Sequence, residues 1–177
     1  MKTTLRLPLA ALCAALLSGC ASSYRFGTTL SPELRDVYIP TILNETGEPG
    51  VAQAADRALR KEIQREGTLR IVPEDEATTR LDVVVTEYKQ EAISFSQHDT
   101  QRPNEYKMTI RARVSFTRIP RPEAGIQPTK PIWQPSSVVG SENFLGGANS
   151  ISAKMSCLPE AAKQLAIAIV DGCVGAW

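Results

Sequence analysis

Four cysteines, one histidine and three basic residues at like-parity positions are the side chains of this 177-residue chain whose type and spacing bear on chemistry. Cys20 is the sharpest of them. It closes Leu17-Ser18-Gly19-Cys20, directly after an apolar run from about Leu7 to Leu17 that opens behind Lys2 and Arg6. Such a run is roughly half of the ~20 residues that a helix needs to cross a bilayer, so it reads as a secretory signal and not as a permanent span. Small Ser18 and Gly19 let the backbone enter a signal peptidase, and the Cys20 thiol can be diacylated before the cut. The expectation is a discarded signal at residues 1–19 and an acylated Cys20 as the mature N-terminus, with residues 20–35 as a tether. Buried acyl chains, at ~0.8 kcal/mol per CH₂, would hold the protein on a leaflet without crossing it. Aspartate after the cysteine would favour retention at the inner membrane. Ala21 stands there instead, which favours a lipid-anchored, periplasm-facing protein of the outer membrane.

The other cysteines are Cys13, which leaves with the signal, and Cys157 and Cys173 near the end. An oxidising compartment favours pairing the last two. The helical pattern opposes it: a helix from Leu158 to Val174 sets them near its opposite ends, about 24 Å apart at 1.5 Å per residue. A disulfide needs Cα atoms within about 7 Å. No bridge between them is therefore expected: Cys173 lies on a buried apolar stripe, and Cys157 is a loop thiol near the helix start, free or available to another chain. His98 lies in a polar loop without a second histidine or a nearby cysteine, which makes neither a metal site nor a base. Gly146-Gly147 lacks the lysine of a phosphate loop, and no carboxylate pair stands out as acid and base. No enzyme activity, metal or cofactor is expected. Lys107, Arg111 and Arg113 remain. They share one face of a strand, and outward-pointing cations of this kind suit a solvated sheet face or the bidentate grip of phosphates.

About 158 residues follow the signal, enough for one domain (36–177) and its core. Loss of Lys2 and Arg6 moves the net charge from +1 to about −1 with no run of like charge, so nucleic acid is not an expected partner.

The elements that must position these residues follow from periodicity. Asp36 to Leu43 reads as a first strand, with Pro40 placing it at an edge or a bend. From Val51 to Glu66, Val51, Ala54, Ala55, Ala58, Leu59 and Ile63 recur at helical spacing, and Asp56, Arg57, Arg60, Lys61, Glu62 and Arg65 fill the other face. Pro49 and Gly67 bracket that helix. A strand at Thr68 to Val72 completes a strand, helix, strand unit that implies a parallel pair. Leu81, Val83 and Val85 then alternate with polar positions in a strand reaching toward Ile93. Tyr106, Met108, Ile110, Ala112, Val114 and Phe116 alternate with Lys107, Thr109, Arg111, Arg113, Ser115 and Thr117, giving one core face and one wet face. The proline-rich stretch from Pro120 to Pro131 is a loop. Ile132 to Asn143 holds a fifth strand, with Trp133 as a large core residue. The last helix runs from Leu158 to Val174, with Pro159 in its first turn. These elements make an α/β (α+β) two-layer sandwich, a four- to five-stranded, mixed but mostly antiparallel sheet with two helices on one face.

A lipobox cysteine, Tyr24-Arg25-Phe26-Gly27, SPELRDVYIPTILNETGEPG, an amphipathic helix, long strands and a terminal helix together resemble the LptE family of lipopolysaccharide-assembly lipoproteins. The resemblance implies an outer-membrane protein seated inside the LptD β-barrel, which such proteins help to assemble, and in contact with lipopolysaccharide. No motif carries the family's lipopolysaccharide contacts onto particular positions here; the outward Lys107, Arg111 and Arg113 are the cations that could hold lipid A phosphates. The proline-rich loop and the two late cysteines depart from better-known members. A short strand, an Asn-containing loop and a helix after a lipobox also look like the curli-secretion lipoprotein CsgG and the TolB N-terminal domain, which implies a structural subunit of another envelope assembly.

Overall fold

The computed structural model describes residues 30–95, 103–121, 125, 130–146 and 150–175. The expected signal and tether up to residue 29, Cys20 among them, and His98 lie outside the described residues. The elements are β1 (Asp36–Tyr38), β2 (Leu43–Asn44), α1 (Val51–Glu66), β3 (Arg70–Ile71), β4 (Thr79–Phe95), β5 (Pro103–Arg118), β6 (Val138–Leu145) and α2 (Ser150–Gly175). A 3-10 turn at Pro32–Leu34 precedes them, and Leu30 and Leu34 are already in the core.

The sheet is mixed and has six strands, one more than the upper expectation. Its order is β3-β1-β4-β5-β6, with β2 also on β4. The extra strand comes from the segment read as one: β1 and β2 pair in succession with the same edge of β4, parallel to it, and the chain between them contains Pro40. Proline has no N–H for the ladder, so the pairing breaks there. As expected, β1 and β3 are parallel on either side of α1. β4, β5 and β6 form an antiparallel meander. At about 3.4 Å per residue, the 17 residues of β4 run roughly 55 Å, about three times the usual strand.

Both helices cover one face. Leu81, Val83 and Val85 of β4 and Met108, Ile110, Ala112, Val114 and Phe116 of β5 point into the layer that they close. α1 gives Val51, Ala54, Ala55, Leu59 and Ile63 to it, and α2 gives Ala162, Leu165, Ala166, Ile169 and Cys173. Gly67, at φ 82°, ends α1 in the left-handed region and returns its N–H to Ile63 O. Glu62 departs from the expected exposed face: its residue is only 5 % exposed.

The last helix is eight residues, about two turns, longer at its start than its apolar stripe indicated. It begins at Ser150, and Pro159 lies in its interior. An interior proline removes one backbone hydrogen bond and costs about 3 kcal/mol. The added segment offsets this by packing Ala153 and Cys157 on the core. It also sets Lys154 on Glu48 at 3.0 Å and 5.7 Å over the Tyr88 ring. Cys157 is accordingly a buried helix residue and not a loop thiol, with its Sγ donating to Glu142 O at 3.7 Å. Cys157 and Cys173 are both free. β6 lies later than expected, and its Phe144, just past the expected strand, stacks on Tyr106 at 5.4 Å. Trp133 is half-buried, bridged through its backbone to Phe116.

Candidate functional site

The wet face of β4 and β5 brings Lys107, Arg111 and Arg113 together as expected, and it adds partners for them. Alternation on β4 would place Thr86 opposite Arg111. A bulge between Val85 and Glu87 re-phases the strand, so that Glu87 stands there instead. Its carboxylate accepts from Arg111 Nε at 2.9 Å, while the displaced Thr86 hydroxyl donates to Arg111 O at 3.3 Å. Arg113 reaches Glu45, just past β2, at 3.0 Å. Lys107 faces Glu91 across the ladder, and its charge helps to hold that carboxyl below its usual range, after the larger effect of Lys89 at 2.5 Å. Asn143 donates to Glu105 at 3.1 Å on the next row.

The face is therefore a ladder of opposite charges laid along two long strands. Cross-strand pairs of this kind contribute roughly 0.2–1 kcal/mol each. Arg111 and Glu87 are 42 % and 44 % exposed, so the pair stays open to water and to exchange of partners. Lys107 is the cation of the three with no direct carboxylate contact among the described residues. The acidic half of this ladder was not singled out in the sequence. Register is what reveals it, and a bulge at Thr86 leaves no mark in the alternation.

The helix layer holds a second cluster. α1 carries Arg57, Lys61 and Arg65 at every fourth residue, and α2 brings Lys163 alongside. Here the nearly buried Glu62 carboxylate accepts from Arg65 at 2.5 Å, and that hydrogen bond lowers its pKa from the usual value against the effect of burial. The spacing of the three cations was legible in the sequence, but it read only as the polar side of an amphipathic helix.

Among the described residues no group of His, Cys, Asp and Glu is placed to hold a metal ion, and no helix is long and apolar enough to cross a membrane. Burial pushes the Cys157 thiol up to about 11 and the Cys173 thiol higher still. Neither is a nucleophile at neutral pH.

No curated protein matches the chain in sequence. Among solved structures, it is similar to protein XCC0632 from Xanthomonas campestris, with a TM-score of 0.54 and 9 % identity over 86 % of this chain and 89 % of that one. It is also similar to the hypothetical protein CT253 from Chlamydia trachomatis, with a TM-score of 0.53 and 11 % identity over 80 % of this chain and 98 % of that one. At such identities these likenesses speak for the fold alone. The family model LptE, described as lipopolysaccharide-assembly, matches residues 34–171, from the 3-10 turn through most of α2. The chain thus belongs to the LptE family of lipopolysaccharide-assembly lipoproteins.

Proposed function

We propose that the protein is a non-enzymatic, periplasm-facing lipoprotein of the outer membrane, acylated at Cys20, that sits within an LptD-like β-barrel and assists its assembly and the outward passage of lipopolysaccharide. Family membership supports the general role. The self-neutralised polar face of the β4–β5 hairpin is the observation that carries the narrower one. A wide barrel has a polar lumen, and a plug inside it must present a polar surface without bringing unpaired charges out of water. A ladder in which Arg111 and Arg113 already hold carboxylates, and Lys107 faces Glu91, meets that demand along roughly 20 Å of strand.

Lys107, Arg111 and Arg113 are the contacts that this face would offer lipid A phosphates. Exposed ion pairs are worth about 0.2–1 kcal/mol, so Arg111 and Arg113 can trade a carboxylate for a phosphate at small cost. Lys107 need not trade at all.

Depleting the protein from cells tests the reading. Surface lipopolysaccharide and mature LptD should both fall, and unchanged surface lipopolysaccharide after verified depletion would contradict it. Anchoring is tested separately by Cys20→Ala, which should abolish acyl labelling and leave the precursor uncut. Normal labelling and outer-membrane fractionation of that variant would overturn the anchor.

A further inference from the structure

On the helix layer, away from the sheet's wet face, α1 and α2 enclose a groove of about 370 Å³ whose charge is not neutralised. Its floor is made of small or compact side chains, Ala54, Ala58 and Pro159, which leave depth between the helices. Its banks are basic. Arg65 is tied to Glu62 at 2.5 Å and Lys163 to Glu160 at 3.1 Å. Arg57 and Lys61 are both exposed and, among the described residues, have neither a hydrogen bond nor an ion pair. Four cations against two carboxylates leave the lining with an excess of two positive charges. The sheet face shows the opposite arrangement, since its Arg111 and Arg113 are matched.

Residues four apart on a helix stack on one side, so Arg57 and Lys61 project over the same stretch of groove. A guanidinium presents two parallel donors to a phosphate, and an ammonium beside it adds a point charge. The apolar floor beneath suits the carbon skeleton to which the phosphate is attached. Size selects the class of occupant: about 370 Å³ lies at the lower end of small-ligand clefts. A protein partner needs about 800 Å² on each side and a surface far wider than this cleft.

We propose that the α1–α2 groove binds a phosphorylated portion of lipopolysaccharide through Arg57 and Lys61, with Lys163 on the facing bank. The proposal rests on the lipopolysaccharide-handling reading given above and adds a second contact region, on the layer opposite Lys107, Arg111 and Arg113.

The test is binding of fluorescently labelled lipopolysaccharide to the full, detergent-purified protein, with phosphatidylglycerol vesicles and inorganic phosphate as competitors. Arg57→Glu with Lys61→Glu should weaken binding about tenfold, which corresponds to about 1.4 kcal/mol. The charge-conserving pair Arg57→Lys with Lys61→Arg should stay within about threefold of the starting protein. Lys163→Glu, on the other helix, should weaken binding several-fold and guards against a local defect in α1; circular dichroism checks that each variant is folded. Equal binding by folded Arg57→Glu/Lys61→Glu and Lys163→Glu variants would overturn the groove while leaving the general reading in place. No binding by the starting protein would overturn that reading and the groove with it. Competition by phosphatidylglycerol or phosphate as strong as that by unlabelled lipopolysaccharide would mark a general anion site and overturn the assignment to lipopolysaccharide.

Discussion

A Cβ built on Gly140 of β6 would lie 2.3 Å from the backbone nitrogen of Leu165 and 2.4 Å from the carbonyl oxygen of Ala161 on α2. The strand thus lies against the helix backbone itself, and no side chain can give way to make room. Gly140→Val should cost at least about 2 kcal/mol by overpacking. For a chain of this size that is a fall of roughly 5 °C or more in melting temperature. Val139→Thr, one residue away and exposed, should change it little. A melting curve of Gly140→Val that overlays the starting protein would show that β6 and α2 do not meet as described.

Glu62 and Arg65 yield a pH-dependent prediction. The Arg65 hydrogen bond holds the Glu62 carboxyl below its usual value of 4.5. A depressed carboxylate stabilises the fold above its unfolded pKa, and that stability is lost as pH falls through the folded one. Arg65→Ala removes the partner of the Glu62 carboxylate and should lower stability at pH 7. The gap between the two proteins should narrow as pH falls below 4.5 and through the lowered folded value, since a neutral Glu62 needs no cation. Denaturant melts at pH 7 and near pH 3.5 check this, and a gap that is constant with pH would contradict it.

Much of this layout was legible before the structure, and the misses share a cause. The alternation of β5 from Tyr106 to Thr117 and the stripe of α1 through Ile63 depend on local periodicity, which survives in any register. Glu87, Glu45 and Glu91 became part of the site only through pairing across strands, and the bulge at Thr86 decides which of two neighbours meets Arg111. Pro159 misled because proline usually opens a helix. Here, contacts distant in sequence, Lys154 with Glu48 and Cys157 with Glu142, extend the helix on its N-terminal side. The groove over Ala58 needed α2 to be placed beside α1, and no spacing within either helix shows that.

The two late thiols should behave as unreactive groups. Cys157 and Cys173 lie about 24 Å apart on one helix, both buried and both protonated near neutral pH. Alkylation at pH 8 should be slow for each in the folded protein and fast after unfolding, with no internal bridge in a non-reducing mass. An internal disulfide between them would mean that α2 is broken.

Arg111 and Arg113 should matter for binding more than for folding. Their carboxylate pairs are about half exposed, so replacing both by Ala should change stability by no more than about 1 kcal/mol for each pair. Lipopolysaccharide binding by the purified double variant should fall. Undiminished binding would leave the two arginines as parts of a solvated sheet face.

Co-purification of the full-length protein from envelope membranes in mild detergent tests the central claim most directly. A large β-barrel of the LptD type should come down with it in an equimolar complex, and that complex should survive moderate salt because the sheet face is already internally paired. Recovery of the protein alone, or as a ring of its own copies, would contradict the account and favour a structural subunit of another envelope assembly.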